Sequence, residues 1–207
     1  MHEGTIGEIQ IQSQQQSRAR ANSFYERQMQ GRLSERMVDL IRRQEMVFVA
    51  TADSKGNCDC SPRFGRSGFV LILDAKTLAY PEYRGNGVFA SLGNILENPH
   101  VGLVFLDFLD TTVGLHVNGV ANSYPEVELP AILASYLDRE SPVVDAAVER
   151  WVVITIDEAY IHCSKHVPRL EKKGKVVRWG TDDKIAKSDD YFLKRKKSGT
   201  AKVSDGS

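Results

Sequence analysis

LAYPEYRGNGVFASLGNILENPHVGLVF, residues 78–105, decides how the rest of the chain is read. A strand-like opening ends at Pro81 and runs into a polar loop with glycines at 85 and 87. A short amphipathic helix, an Asn98-Pro99 stop and a second apolar strand follow. The glycines let backbone N–H groups turn outward, and Arg84 sets a fixed positive charge beside them. The spacing predicts a helix over 88–97 that opens just after Asn86, so its unpaired N-terminal amides face the loop. Val88, Leu92 and Ile95 form its buried stripe, with Ser91 and Asn94 elsewhere on its surface. A phosphate-bearing ligand suits such a corner. The same glycine-rich turn also serves as a plain connection, and Asn94 serves equally to brace a neighbouring strand.

Upstream, Leu33, Met37, Leu40 and Ile41 make one apolar helical stripe, capped near Ser34. MVFVAT (46–51) reads as a strand, residues 53–57 as a hairpin loop, and CDCSPRF (58–64) as its return, with Pro62 favouring an edge. FVLIL (69–73) and TLAYP (77–81) form another pair. Downstream, HVGLVFLDF (100–108) pairs with VGLHVNGVANSY (113–124), where Gly119 marks a bulge or a close backbone approach. A helix around 126–138 precedes the strand RWVVITID (150–157) and a strand-like AYIHC. Six or seven strands in hairpin order with inserted helices give a mainly β fold with flanking helices, an antiparallel barrel. Regular strand–helix alternation is missing, which argues against a doubly wound α/β sheet. Residues 1–16, polar and glutamine-rich, are expected to be a loose arm; 17–180 form the domain, and 181–207 a polar, basic tail.

The 207 residues suffice for one sizeable core. Lys plus Arg and Asp plus Glu number 27 each, so no overall field draws the chain to nucleic acid. No stretch approaches a membrane span, and the N-terminus lacks the pattern of a secretory signal. Three cysteines cannot all pair within the chain, and reduced thiols in the cytoplasm are expected.

These segments together resemble a known family. The order helix, ATADSKGNCDCSPR, GFVLILDAKTLAYP, loop, NILENPHVGLVF, LHVNGVA is similar to the pyridoxamine 5′-phosphate oxidase-like, flavin mononucleotide-binding split-barrel family, over roughly residues 33–165. The YPEYRGNG loop and YIHCSKHVPRL resemble a bacterial branch of it. The resemblance implies a split β-barrel homodimer with flavin mononucleotide (FMN) in two clefts between subunits. It places Arg63 on the strand that approaches the flavin, Tyr83, Arg84, Gly85 and Asn86 on the phosphate loop, and Ser91 and Asn94 on the helix. Many family members carry a lysine where this chain has Ser91, so the resemblance implies that Arg84, with Arg63, the loop amides and the Ser91 hydroxyl, supplies the charge, a chemically reasonable exchange. Arg178-Trp179-Gly180 only echoes the ending of the vitamin B6 enzymes. The implied activity is an FMN-dependent oxidoreductase acting on a small molecule. The alternatives are an enzyme using the deazaflavin F420 and a non-enzymatic module carrying flavin or haem.

Other residues stay open. Lys165, with His162, His166 and Arg169, makes a positive pocket near the ligand or an ordinary polar loop. Trp179 covers a flavin ring or packs on its own subunit. Arg66 reads as solvated, and His116 as structural. Cys58, Cys60, Cys163, His162 and His166 do not follow a strong zinc spacing, and no metal is expected. No Ser-His-Asp or Cys-His arrangement names a catalytic residue.

Overall fold

The computed structural model describes residues 4–140, 148–174 and 177. Arg178, Trp179, Gly180 and the tail from 181 lie outside the described residues. The first hairpin joins β1 (Met46–Ala52) to β2 (Cys58–Phe64), in register from Met46 opposite Phe64 to Ala52 opposite Cys58. Asp53 builds its turn. The Asn57 side chain (2.7 Å) and the Asn57 and Lys55 backbone N–H groups (2.9 Å each) donate to its carboxylate, holding its pKa below the ordinary value.

Five further strands follow: β3 (Leu71–Asp74), β4 (Thr77–Tyr83), β5 (His100–Leu106), β6 (Gly114–Pro125) and β7 (Val148–His162). All pair antiparallel in one sheet of order β2-β1-β5-β6-β7-β4-β3. The fold is therefore mainly β with flanking helices and seven strands, as the hairpin order predicts. RWVVITID and AYIHC are one strand of 15 residues, not two. Asp157 is its extra residue: Asn118 faces Glu158, while Gly119 faces Ile156. A Cβ on Gly119 would lie 2.1 Å from the Thr155 carbonyl oxygen, so the glycine both marks the bulge and permits the contact.

Alternate residues of the strands fill the barrel. Val47, Val49, Leu78, Tyr80, Leu103, Phe105, Leu115, Val117 and Ile154 are all within 1% of full burial. Leu40 and Ile41 of α3 (Glu35–Arg43) and Leu92 and Ile95 of α4 (Ala90–Glu97) pack against them. Ser34 occupies the N-cap of α3, as its sequence predicts. α5 (Ala131–Glu140) covers a second cluster of Leu71, Ala79, Leu133 and Trp151. It begins after Pro130, later than the expected 126; a short 3₁₀ turn fills Glu126–Glu128.

The loose N-terminal arm is corrected. Residues 6–14 form α1 (Ile6–Gln14), which precedes α2 (Arg18–Gln28). Thr5 and Glu8 make a reciprocal capping box, with the Thr5 N–H donating to Glu8 at 2.6 Å and the Glu8 N–H to Thr5 at 3.2 Å. Gln12 donates to the Tyr25 hydroxyl at 2.7 Å, tying α1 to α2. No α1 side chain is buried, so glutamine-rich composition hid a helix held by its cap rather than by a core. Among the described residues no helix is long and apolar enough to cross a membrane.

Candidate functional site

Strand alternation sends Asp59, Ser61 and Arg63 of β2 to one face and Cys58, Cys60, Pro62 and Phe64 to the other. On β4 the same rule aligns Leu78, Tyr80 and Glu82. β2 ends the sheet and β4 stands sixth, so no backbone ladder joins them. Their side chains do: Arg63 Nε donates to Glu82 Oε2 at 2.8 Å, with the two side chains 17% and 14% exposed. That ion pair spans the seam of the barrel. Tyr80, beneath it on β4, is fully buried, and its hydroxyl meets no hydrogen-bond partner among the described residues.

A cleft of about 270 Å³ opens at this seam, lined by Ser61, Arg63, Glu82, Tyr83 and residues 85–91. Asn86 Oδ1 accepts from the Val88 N–H at 3.0 Å, and Gly87 takes φ +81. Phe89 then holds the left-handed conformation (φ 53) at the N-cap of α4. The helix thus opens at Ala90, later than predicted, and Val88 is a 70% exposed loop residue rather than part of the buried stripe. Phe89 carries the strain of so abrupt an entry, while Gly87 takes its positive φ at no steric cost. The turn leaves the first helical amides, at Ala90 and Ser91, at the wall of the cleft.

Ser91 is buried, at 2% exposure, instead of lying on a polar surface. Its hydroxyl donates to Asp59 Oδ2 at 3.1 Å, and Ser61 donates to the same oxygen at 3.0 Å. Burial pushes the Glu82 carboxyl up; Arg63 opposes that shift and Glu149 adds to it. Burial also raises Tyr80, with Glu82 adding to the effect.

Of the predicted ligand residues, the structure gathers Arg63, Tyr83, Gly85, Asn86 and Ser91 around one cleft. Arg84 is 55% exposed and faces Glu149 of β7, 3.4 Å away, outside the lining. Asn94 braces α4 to β1, its amide donating to Thr51 Oγ1 at 3.0 Å. Lys165 lies exposed in a 3₁₀ turn, Ser164–His166, away from this lining. Trp179 lies outside the described residues. Asp59, Ser61, Glu82 and Tyr80 were missed. The period-two alternation around Arg63 would have found the first two, whereas Glu82 required knowing that β2 and β4 meet.

The three cysteines are exposed and unpaired. No group of three potential metal ligands occurs among the described residues. His116 Nε2 lies 2.9 Å from Nδ1 of His162, and the His116 ring stacks on Tyr160 at 4.8 Å. Burial, then His162, lowers its pKa.

Among solved structures, HupZ from Group A Streptococcus is 21% identical with a TM-score of 0.48, over 67% of this chain and 99% of that one. An F420 reductase is 19% identical with a TM-score of 0.41, over 63% and 98%. HutZ, the haem storage protein from Vibrio cholerae, is 14% identical with a TM-score of 0.43, over 63% and 94%. Likenesses this distant decide nothing about the ligand. No curated protein matches the chain. The family model described as pyridoxamine 5′-phosphate oxidase matches residues 33–163, from α3 through all seven strands and the α4 cleft. The chain belongs to the pyridoxamine 5′-phosphate oxidase family.

Proposed function

We propose that the protein is an FMN-binding oxidoreductase that works as a homodimer, with the phosphate of the cofactor held in the α4 cleft. The observation that carries this reading is the convergence of Arg63 and the amides of Ala90 and Ser91 on one partly buried cavity. These donors fit a phosphate: an arginine fork supplies charge, and helix N-terminal amides supply directed hydrogen bonds. The helix lysine of many relatives is replaced by Ser91, so Arg63 is the cation nearest the anion. Asp59 orients both serine hydroxyls and Asn86 fixes the loop.

A volume of about 270 Å³ takes a phosphate and part of a sugar chain and leaves no room for a tricyclic ring. The outer sheet face beside the cleft bears Phe48, Ala50, Cys58, Cys60 and Phe64, with Phe64 44% exposed. A second copy seated there would complete the ring site and cover that surface. When bound, the flavin supplies the two-electron chemistry. This chain's residues bind and orient the cofactor, and none is assigned to proton transfer on substrate. Three exposed free thiols suit a reducing compartment, the cytoplasm.

The test is to denature the purified protein, identify the released small molecule by mass spectrometry and size the native particle. FMN and a dimer are expected, with absorbance near about 370 and about 450 nm. A band near about 420 nm would indicate the deazaflavin and a Soret band would indicate haem; either result, or a monomer, overturns the reading.

A further inference from the structure

Glu82 is an odd lining for an anion site. It presents a carboxylate on the floor of the cleft, 14% exposed, against the same guanidinium a phosphate would use. The groups facing it are Arg63 from β2, Tyr80 from its own strand and Glu149 from β7. Arg150, its partner in register on β7, is turned to Ser123, donating to Oγ at 2.7 Å. Asp59 adds a second carboxylate beside Ser61 and Ser91. The cleft therefore sets one lining cation, Arg63, among carboxylates, with the fully buried Tyr80 phenol beneath.

A dianion drawn to Arg63 arrives within a few ångströms of Glu82, because Nε and Oε2 are only 2.8 Å apart. Two like charges at that range in a partly dry site do not both persist; one of them takes a proton. Burial already biases Glu82 toward its protonated form. A phosphomonoester can also carry the proton itself, since its second ionisation lies near about pH 6. Sulfates and phosphodiesters hold no such proton near neutrality. Tyr80, two residues before Glu82 on the same face, supplies a hydroxyl that can donate to the carboxylate once Arg63 turns to the ligand.

Resting on the reading of this cleft as a phosphate site, we infer that Glu82 is a specificity residue: it shares one proton with the bound anion and so selects phosphomonoesters over sulfates and phosphodiesters. The balance is simple. The free carboxylate and a dianionic ester together take one proton from solvent on binding, and release it on dissociation. Binding then weakens as pH rises, because the proton becomes scarcer.

The experiment titrates the full chain, dialysed free of small molecules, with inorganic phosphate and then with sulfate. Calorimetry at pH 8 in buffers of differing ionisation enthalpy reads the protons exchanged. Phosphate should bind with uptake of about one proton, and sulfate at least about tenfold more weakly, as for an analogue that leaves a buried polar group unpaired. Glu82→Gln, which keeps the size and offers an amide donor, should abolish the uptake and bring the two anions within about threefold of each other. Circular dichroism of that variant shows whether it is folded; if it is not, uptake and anion preference in the parent alone decide. Phosphate binding without proton uptake, or sulfate binding as tightly, overturns the role of Glu82 and leaves the phosphate site standing. Failure of phosphate and of sulfate alike to bind the parent overturns both.

Discussion

Arg63 and Glu82 join strands that share no backbone hydrogen bond, and at 2.8 Å they are the direct polar link between β2 and β4 across the open seam of the sheet. Removing either partner strands a charge that is more than four-fifths covered. Arg63→Met or Glu82→Leu alone should each cost about 3 kcal/mol, while the double variant costs less than either sum would imply. Urea unfolding of the four proteins measures this. Single costs below about 1 kcal/mol would mean the pair behaves as an exposed one.

Retention of the cofactor should depend on Arg63 far more than on Arg84. Arg63 lines the cleft, whereas Arg84 faces Glu149 outside it. Arg63→Ala is expected to weaken FMN binding by about tenfold or more, the loss of one charge-assisted contact. Arg84→Ala should change it by less than about threefold. Fluorescence titration with FMN ranks the two, and the reverse order would move the anion to the loop.

His116 makes stability depend on pH with a definite sign. Its folded pKa lies below the ordinary 6.5, through burial and the neighbouring His162. Between the two values the unfolded chain binds more protons, so stability must drop as pH falls through 6.5 toward the folded value. His116→Phe should flatten that slope between about pH 7 and about pH 5. Thermal melts across this range, parent against variant, would show an unchanged slope if groups other than His116 carry it.

Gly119 admits no side chain. Its added Cβ would sit 2.1 Å from the Thr155 carbonyl oxygen, a backbone atom that cannot swing aside. Gly119→Ala should cost about 3 kcal/mol through forced separation of β6 and β7. Gly87→Ala, at φ +81 with nothing within 4 Å, tests backbone strain alone and should cost about 1 kcal/mol. Denaturation midpoints distinguish the two.

The hairpins were legible because alternation, Asp53-to-Gly56 turn chemistry and the Asn98-Pro99 stop are local signals. The bulge was legible because a glycine inside a β-branched run has few other uses. The cradle was half legible: loop and helix followed from spacing and Ser91 from the family resemblance, but Glu82 looked like one more polar strand residue. Only the meeting of β2 with β4, a contact between residues 19 apart in sequence and at opposite ends of the sheet, makes it part of the site. Arg84 misled for the reverse reason. A charge beside glycines reads as a ligand contact, yet Arg84 lies against Glu149 of β7, outside the cleft. The helix at residues 6–14 escaped notice because its stability lies in Thr5, Glu8 and the Tyr25 hydroxyl rather than in an apolar stripe.

Among the described residues β7 is the last strand to leave the ribosome, and it is the fifth of seven across the sheet. The β3–β4 hairpin touches the remaining ladder only through it. A nascent chain ending before Val148 thus holds two fragments that share no backbone ladder, β2-β1-β5-β6 and β3-β4, each with a naked edge. The wall of the cleft bearing Glu82 gains its backbone ladder to the wall bearing Arg63 only when that strand slides between them. The exposed edge of β6 is the place where an unfinished chain would stick to its neighbours.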